Sequence, residues 1–134
     1  MIPSQVSIFV ATSPVDMRRA LDGLAEQARA GLGKDPESGA LFVFRNAKRN
    51  RLKILWYDKT GYCLLYKRLD RGHFRLPEAF AEGTTAVVVD ARELGAILEG
   101  VQLPRSKLTP RQIGREARTK VLQKRAAMSM HAPA

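Results

Sequence analysis

Cysteine is almost missing from this 134-residue chain: Cys63 stands alone, so no internal disulfide can form, which fits a reducing compartment. No apolar run approaches the roughly 20 residues that a membrane-spanning helix needs. The opening residues, Met1 to Gln5, lack the basic and apolar regions of a secretory signal. A cytoplasmic protein with no membrane contact is therefore expected. Also lacking are a glycine-rich phosphate loop, a zinc-ligand set and a nucleophile elbow. Asp16, Asp22, Asp58, Asp70 and Asp90 do not form a spaced acidic triad, and helix caps, turns and solvated faces account for them more simply. His73 sits among arginines with no carboxylate to orient it. The expectation is a protein with no catalytic residues, no metal and no cofactor.

Acidic residues are also few, and this deficit is the informative one. Thirteen Asp and Glu face 23 Lys and Arg, a net charge of +10. The excess is clustered. Residues 1–33 are neutral (3 basic, 3 acidic), 34–75 carry +7 (11 and 4), 76–104 carry −4 (1 and 5), and 105–134 carry +7 (8 and 1). Two basic blocks flanking an acidic one make a field that attracts polyanions. Hydrophobic residues at 45% are enough for one real core, so residues 1–104 read as a single domain and 105–134 as a basic tail.

Along the chain, Val6, Ile8 and Val10 alternate as a first strand. Ser13, Pro14 and Asp16 read as a helix start with a capping box. Met17, Ala20, Leu21, Leu24, Ala25, Ala28 and Leu32 then form one apolar stripe ending near Gly31 or Gly33. Three β-rich runs follow at Leu41–Arg45, Leu52–Tyr57 and Tyr62–Arg68, an antiparallel meander. Its second turn, Asp58 to Gly61, reads as type I closed by a left-handed glycine. If Tyr57 faces Tyr62, one face carries Leu52, Ile54, Trp56, Cys63 and Leu65, and the other Lys53, Leu55, Tyr57, Tyr62, Leu64 and Tyr66. Thr84–Val89 is a further strand, and Asp90 with Glu93 opens a helix that stops at Gly100. The fold class expected is α+β: an antiparallel sheet of four or five strands with the meander at its centre, two packed helices and a basic C-terminal tail. The tail, opened by Thr109 and Pro110, reads as a basic helix or as an arm that orders on a partner.

Two cation clusters carry the functional reading. Arg45, Lys48, Arg49, Arg51 and Lys53 crowd the first hairpin, and Lys67, Arg68, Arg71 and Arg75 follow the third strand of the meander. Both suit phosphate contact, as do Arg111, Arg115 and Arg118 of the tail; the competing reading is a set of solvated basic turns. Tyr57, Tyr62 and Tyr66 are candidates for stacking on bases, although aromatics in strands more often pack the core. Arg18 and Arg19 suit either DNA or a sheet carboxylate.

Several motifs recur in a familiar order: Asp16-Met17-Arg18-Arg19, Asp22-Gly23-Leu24, Asp35-Pro36 with Ser38-Gly39, Leu41 to Phe44, Arg51 to Asp58 with Gly61, Tyr66-Lys67-Arg68-Leu69 with Gly72 and Phe74, and Leu98-Glu99-Gly100. In this series, residues 6–101 resemble the TnpB accessory proteins, second open-reading-frame products of the insertion-sequence-sixty-six transposons. His73 and Leu76 depart from the pattern, standing where other members often carry a basic residue and a tryptophan. The resemblance implies an accessory protein of DNA transposition that acts beside a separate, larger transposase holding the acidic catalytic triad. The expected partners are DNA near the element ends and that transposase, with a protein–protein adaptor of incidental DNA affinity as the alternative. A minor nuclease activity is the third hypothesis, and it lacks any acid–base constellation to support it.

Overall fold

The computed structural model describes residues 5–79 and 81–101. The tail from 105 onward, with Arg111, Arg115 and Arg118, lies outside the described residues. Five strands form one sheet: β1 (Ile8–Ala11), β2 (Leu41–Arg45), β3 (Arg51–Asp58), β4 (Gly61–Arg68) and β5 (Ala86–Val89). Helix α1 (Leu21–Glu26) continues into a π-helical turn over Gln27–Gly31, and α2 spans Ala91–Glu99. The sheet order is β4-β3-β2-β1-β5. The fold is α+β, as expected, with two differences of topology. The meander β2-β3-β4 runs to one edge of the sheet rather than through its centre, and β1 pairs parallel to β2. The parallel pair follows from the crossover: a strand, a helix and a second strand must return over the sheet to lie side by side.

The sheet is buried on both faces. Leu24, Ala25, Ala28 and Leu32 pack with Phe42, Phe44 and Leu55 on one face. Leu94 and Ile97 of α2 pack with Ile8, Val10, Val43, Ile54 and Phe74 on the other. The meander register is the one in which Tyr57 faces Tyr62 across the turn, with Ile54 opposite Leu65, so the two faces are divided as that pairing implies. The Asp58–Gly61 pair leaves only Lys59 and Thr60 to reverse the chain, and the left-handed residue is Lys59 (φ 43°) rather than Gly61. A two-residue loop needs positive φ within itself to match the strand twist.

Helix α2 begins as its sequence dictates. Asp90 accepts from the Glu93 N–H at 2.8 Å, and the Glu93 carboxylate reaches back to the Asp90 N–H. It ends at Gly100 (φ 72°), where an added Cβ would meet Leu69 Cδ1 at 2.9 Å and the His73 carbonyl at 3.3 Å. Only glycine fits there.

Helix α1 starts later than its capping signal. Residues 14–20 form no helix. The Asp16 carboxylate accepts from the Arg18 N–H and is gripped by the Arg18 guanidinium at 2.7 Å. The Val15 N–H donates to the Arg45 carbonyl, and Lys53 Nζ donates to the carbonyls of Met17 and Arg19, both at 2.8 Å. Those carbonyls are thereby taken by the sheet instead of a helical ladder, which is why a local start signal loses. Lys53 is 8% exposed, and its ammonium also lies 5.1 Å from the Tyr66 ring centroid. Replacing it orphans two carbonyls. Lys53→Met is expected to lower the unfolding free energy by about 1–3 kcal/mol, read from urea denaturation. An unchanged midpoint would contradict this role.

Candidate nucleic-acid interface

The hairpin between β2 and β3 is shaped by asparagine. Asn46 Oδ1 accepts from the N–H groups of Asn50 (3.1 Å) and Arg51 (3.0 Å), while its Nδ2 donates to Asn50 Oδ1 at 2.7 Å. The Arg49 N–H donates to the Asn46 carbonyl, and Arg49 itself is left-handed, with φ 59°. This turn presents Lys48, Arg49 and Arg51 to solvent.

The segment after β4 folds back onto the same turn. The Leu69 N–H donates to the Asn50 carbonyl at 2.9 Å and the Phe74 N–H to the Arg49 carbonyl at 2.6 Å. Phe74 is fully buried and Leu69 nearly so, and anchors of this kind are each worth about 1.5–3 kcal/mol. The two basic clusters, separate in sequence, therefore adjoin at one end of the sheet. Arg51 stands directly across from Arg68 in the β3–β4 register. Lys48, Arg49, Arg51, Arg68 and Arg75 are exposed, and none of them forms an ion pair among the described residues. Val101, bridged to His73 by two backbone hydrogen bonds, joins this end of the molecule as well.

Other candidate cations have structural duties. Lys53 is buried under Tyr66, as described above. Arg45 is half-buried and donates to the Thr12 carbonyl at 3.0 Å; burial, then Arg49, pulls its pKa down. Lys67 donates to the Leu98 carbonyl at 2.6 Å, near the end of α2, where burial lowers its pKa and Glu99 partly opposes the shift. Arg71 is half-buried in the loop between Leu69 and Phe74. Arg18, open to either partner in the sequence, is tied to Asp16, whose pKa its hydrogen bonds lower to about 2. Arg19 donates to Gln27 Oε1 at 2.9 Å. Among the tyrosines, Tyr57 and Tyr62 meet edge-on with centroids 5.1 Å apart, but Tyr66 is 50% exposed.

The remaining carboxylates do not converge. Asp58 sits at the β3–β4 turn and Asp90 caps α2. Among the described residues no three His, Cys, Asp or Glu side chains are grouped to hold a metal, and no described helix is long and apolar enough to cross a membrane.

Residues 6–108 match the family described as IS66 Orf2 like protein. This chain belongs to that family. Membership makes it a transposition accessory protein of an insertion sequence. Two similar proteins come from Sinorhizobium fredii. The uncharacterized protein y4hO is 37% identical over 118 residues, spanning 85% of this chain and all of the relative. The uncharacterized protein y4jC is 35% identical over 103 residues, spanning 77% of this chain and 86% of the relative. No solved structure matches. The family match runs past Val101 to residue 108, seven residues beyond the described fold.

Arg49 separates fold from charge. A left-handed arginine costs about 1–2 kcal/mol that glycine avoids, while glycine's extra unfolded-state freedom returns about 0.5–1 kcal/mol. Arg49→Gly is expected to hold the thermal midpoint within a few degrees while weakening polyanion binding, measured on a heparin column and by calorimetry. A large drop in the midpoint with unchanged heparin retention would assign Arg49 to the fold alone.

Proposed function

We propose that this IS66-family protein assists transposition by binding DNA near the element ends through the basic rim of Lys48, Arg49, Arg51, Arg68 and Arg75, close to where the separate transposase acts. The observation that carries the reading is the gathering of these exposed cations, unpaired by acids among the described residues, at one end of the sheet. Like charges placed directly across two strands, as Arg51 and Arg68 are, destabilise the sheet by about 0.2–1 kcal/mol. A phosphate between them turns that repulsion into two charge-assisted hydrogen bonds.

Arg111, Arg115 and Arg118 add further phosphate contacts in this reading, following Val101 in sequence from the same end of the fold. Arg71 contributes to the local field from the second cluster. Lys53, Arg45 and Lys67 act at one remove, by tying the meander strands to the pre-helix stretch, the residue after β1 and the end of α2. Nothing in the rim reads base edges in an evident pattern, so binding is expected to show modest sequence preference.

The adaptor alternative places the same cations on an acidic face of the transposase. The double variant Arg49→Glu with Arg51→Glu separates the two: DNA affinity falls by at least about ten-fold while transposase capture in a pull-down persists. Loss of capture with DNA affinity intact favours the adaptor. For the unaltered protein, five phosphate contacts imply a salt slope of about −4.5, hence a loss of about 500-fold in affinity for element-end duplex between about 50 and 200 mM salt. Equal affinity at the two concentrations would end the DNA-binding reading.

A further inference from the structure

Tyr66 is the one large aromatic side chain of the described residues that stands well out of the core, at 50% exposed. Its surroundings are unusual for an exposed ring. Directly across the strand pair is Lys53, whose ammonium sits 5.1 Å from the ring centroid and is itself locked onto the Met17 and Arg19 carbonyls. The ring therefore rests on an immobile cation, which limits its rotamer freedom and lowers the entropy lost when something stacks on it. The strand alternation puts Arg68 on the same face two residues away, about 7 Å along the strand, and Arg51 diagonally across at about 7–8 Å. Both arginines are exposed.

We infer that Tyr66, Arg51 and Arg68 form a subsite for an unpaired nucleotide, with the tyrosine ring stacking on the base and the two guanidiniums holding the adjoining phosphates. The proposal rests on the DNA-binding reading and narrows it: this face of the rim takes single-stranded DNA in preference to duplex. In duplex, base faces are covered by their neighbours, so a half-exposed ring on a sheet surface has nothing to stack on. In an unpaired strand every base offers a planar face, and such stacking combines with a cationic groove to give sequence-tolerant binding. Tyr57 and Tyr62 do not share in it, because they are half-buried against each other.

The test uses the full-length chain and fluorescence anisotropy with a labelled 20-nucleotide single strand of mixed sequence and the corresponding duplex, at one fixed salt concentration. Tyr66→Phe keeps the ring and is expected to bind as the unaltered protein does. Tyr66→Leu keeps apolar cover over Lys53 without a planar face. It is expected to lose about ten-fold in single-strand affinity and to change duplex affinity by less than two-fold. Circular dichroism melting of both variants checks that the fold is intact. Tyr66→Leu acting equally on both DNA forms, or on neither, overturns the subsite and leaves the ring as a lid on Lys53. The variant Arg51→Glu with Arg68→Glu distinguishes the two levels. If it weakens both DNA forms while Tyr66→Leu affects neither, the subsite fails and the basic rim stands. If it weakens neither form, the DNA-binding reading has itself failed.

Discussion

Two backbone hydrogen bonds decide what kind of surface this protein has. The carbonyls of Arg49 and Asn50, in the turn between β2 and β3, accept from the N–H groups of Phe74 and Leu69 in the segment that leaves β4. Both donor residues are buried by their side chains, so the segment is held by the core on one side and by the turn on the other. Without that docking Arg71 and Arg75 would hang from the end of a strand, and only the strand pairing of Arg51 with Arg68 would join the two clusters. With it, positive charge gathers at one end of the sheet. The same end receives Val101, through its bridge to His73. The apolar core thus does more than stabilise the domain: Phe74 and Leu69 convert burial into the position of charges.

The buried and half-buried cations show the complementary device. Lys53, Arg45 and Lys67 each spend their donors on backbone carbonyls of a different segment, the pre-helix stretch, the end of β1 and the end of α2. A carbonyl is a weaker partner than a carboxylate, so the positive charges are fixed in place without being neutralised. They add to the field near the rim while they tie neighbouring segments to the sheet. This explains how a small domain with few acidic residues tolerates so many cations, some within the sheet itself: each buried ammonium or guanidinium has a carbonyl to donate to.

Local signals predicted local structure well. The turn from Asp58 to Gly61 suggested the pairing of Tyr57 with Tyr62 that the meander adopts, and Asp90 with Glu93 gave the start of α2. Where the sequence misled, a distant residue had intervened. Ser13, Pro14 and Asp16 carry a helix-start pattern, but Lys53, more than thirty residues away, claims the Met17 and Arg19 carbonyls, and Arg18 claims Asp16. The parallel pairing of β1 with β2 depends on the crossover of α1, which strand composition does not encode. Both basic clusters were visible as charge in the sequence. The pairing of Arg51 with Arg68 follows from the Tyr57–Tyr62 register, but the docking of the Leu69–Phe74 segment on the first turn was not visible, because its bonds run between main-chain atoms and carry no side-chain signature. The division of the cations into exposed and buried was equally hidden, since Lys53 and Arg51 share one face of β3 and differ only in which part of it meets cover. The tail lies outside the described residues, so its charge is known only from the sequence.

The central claim is that DNA meets the protein at this one end of the sheet. Amide chemical-shift mapping of the isotope-labelled full-length protein, titrated with a short duplex and then with a single strand, tests it most directly. The account predicts that shifts concentrate at residues 46–51, 66–75 and 101, with β5 and the exposed side of α2 unmoved. Shifts spread evenly over the surface, or centred on β5 and α2, would contradict it.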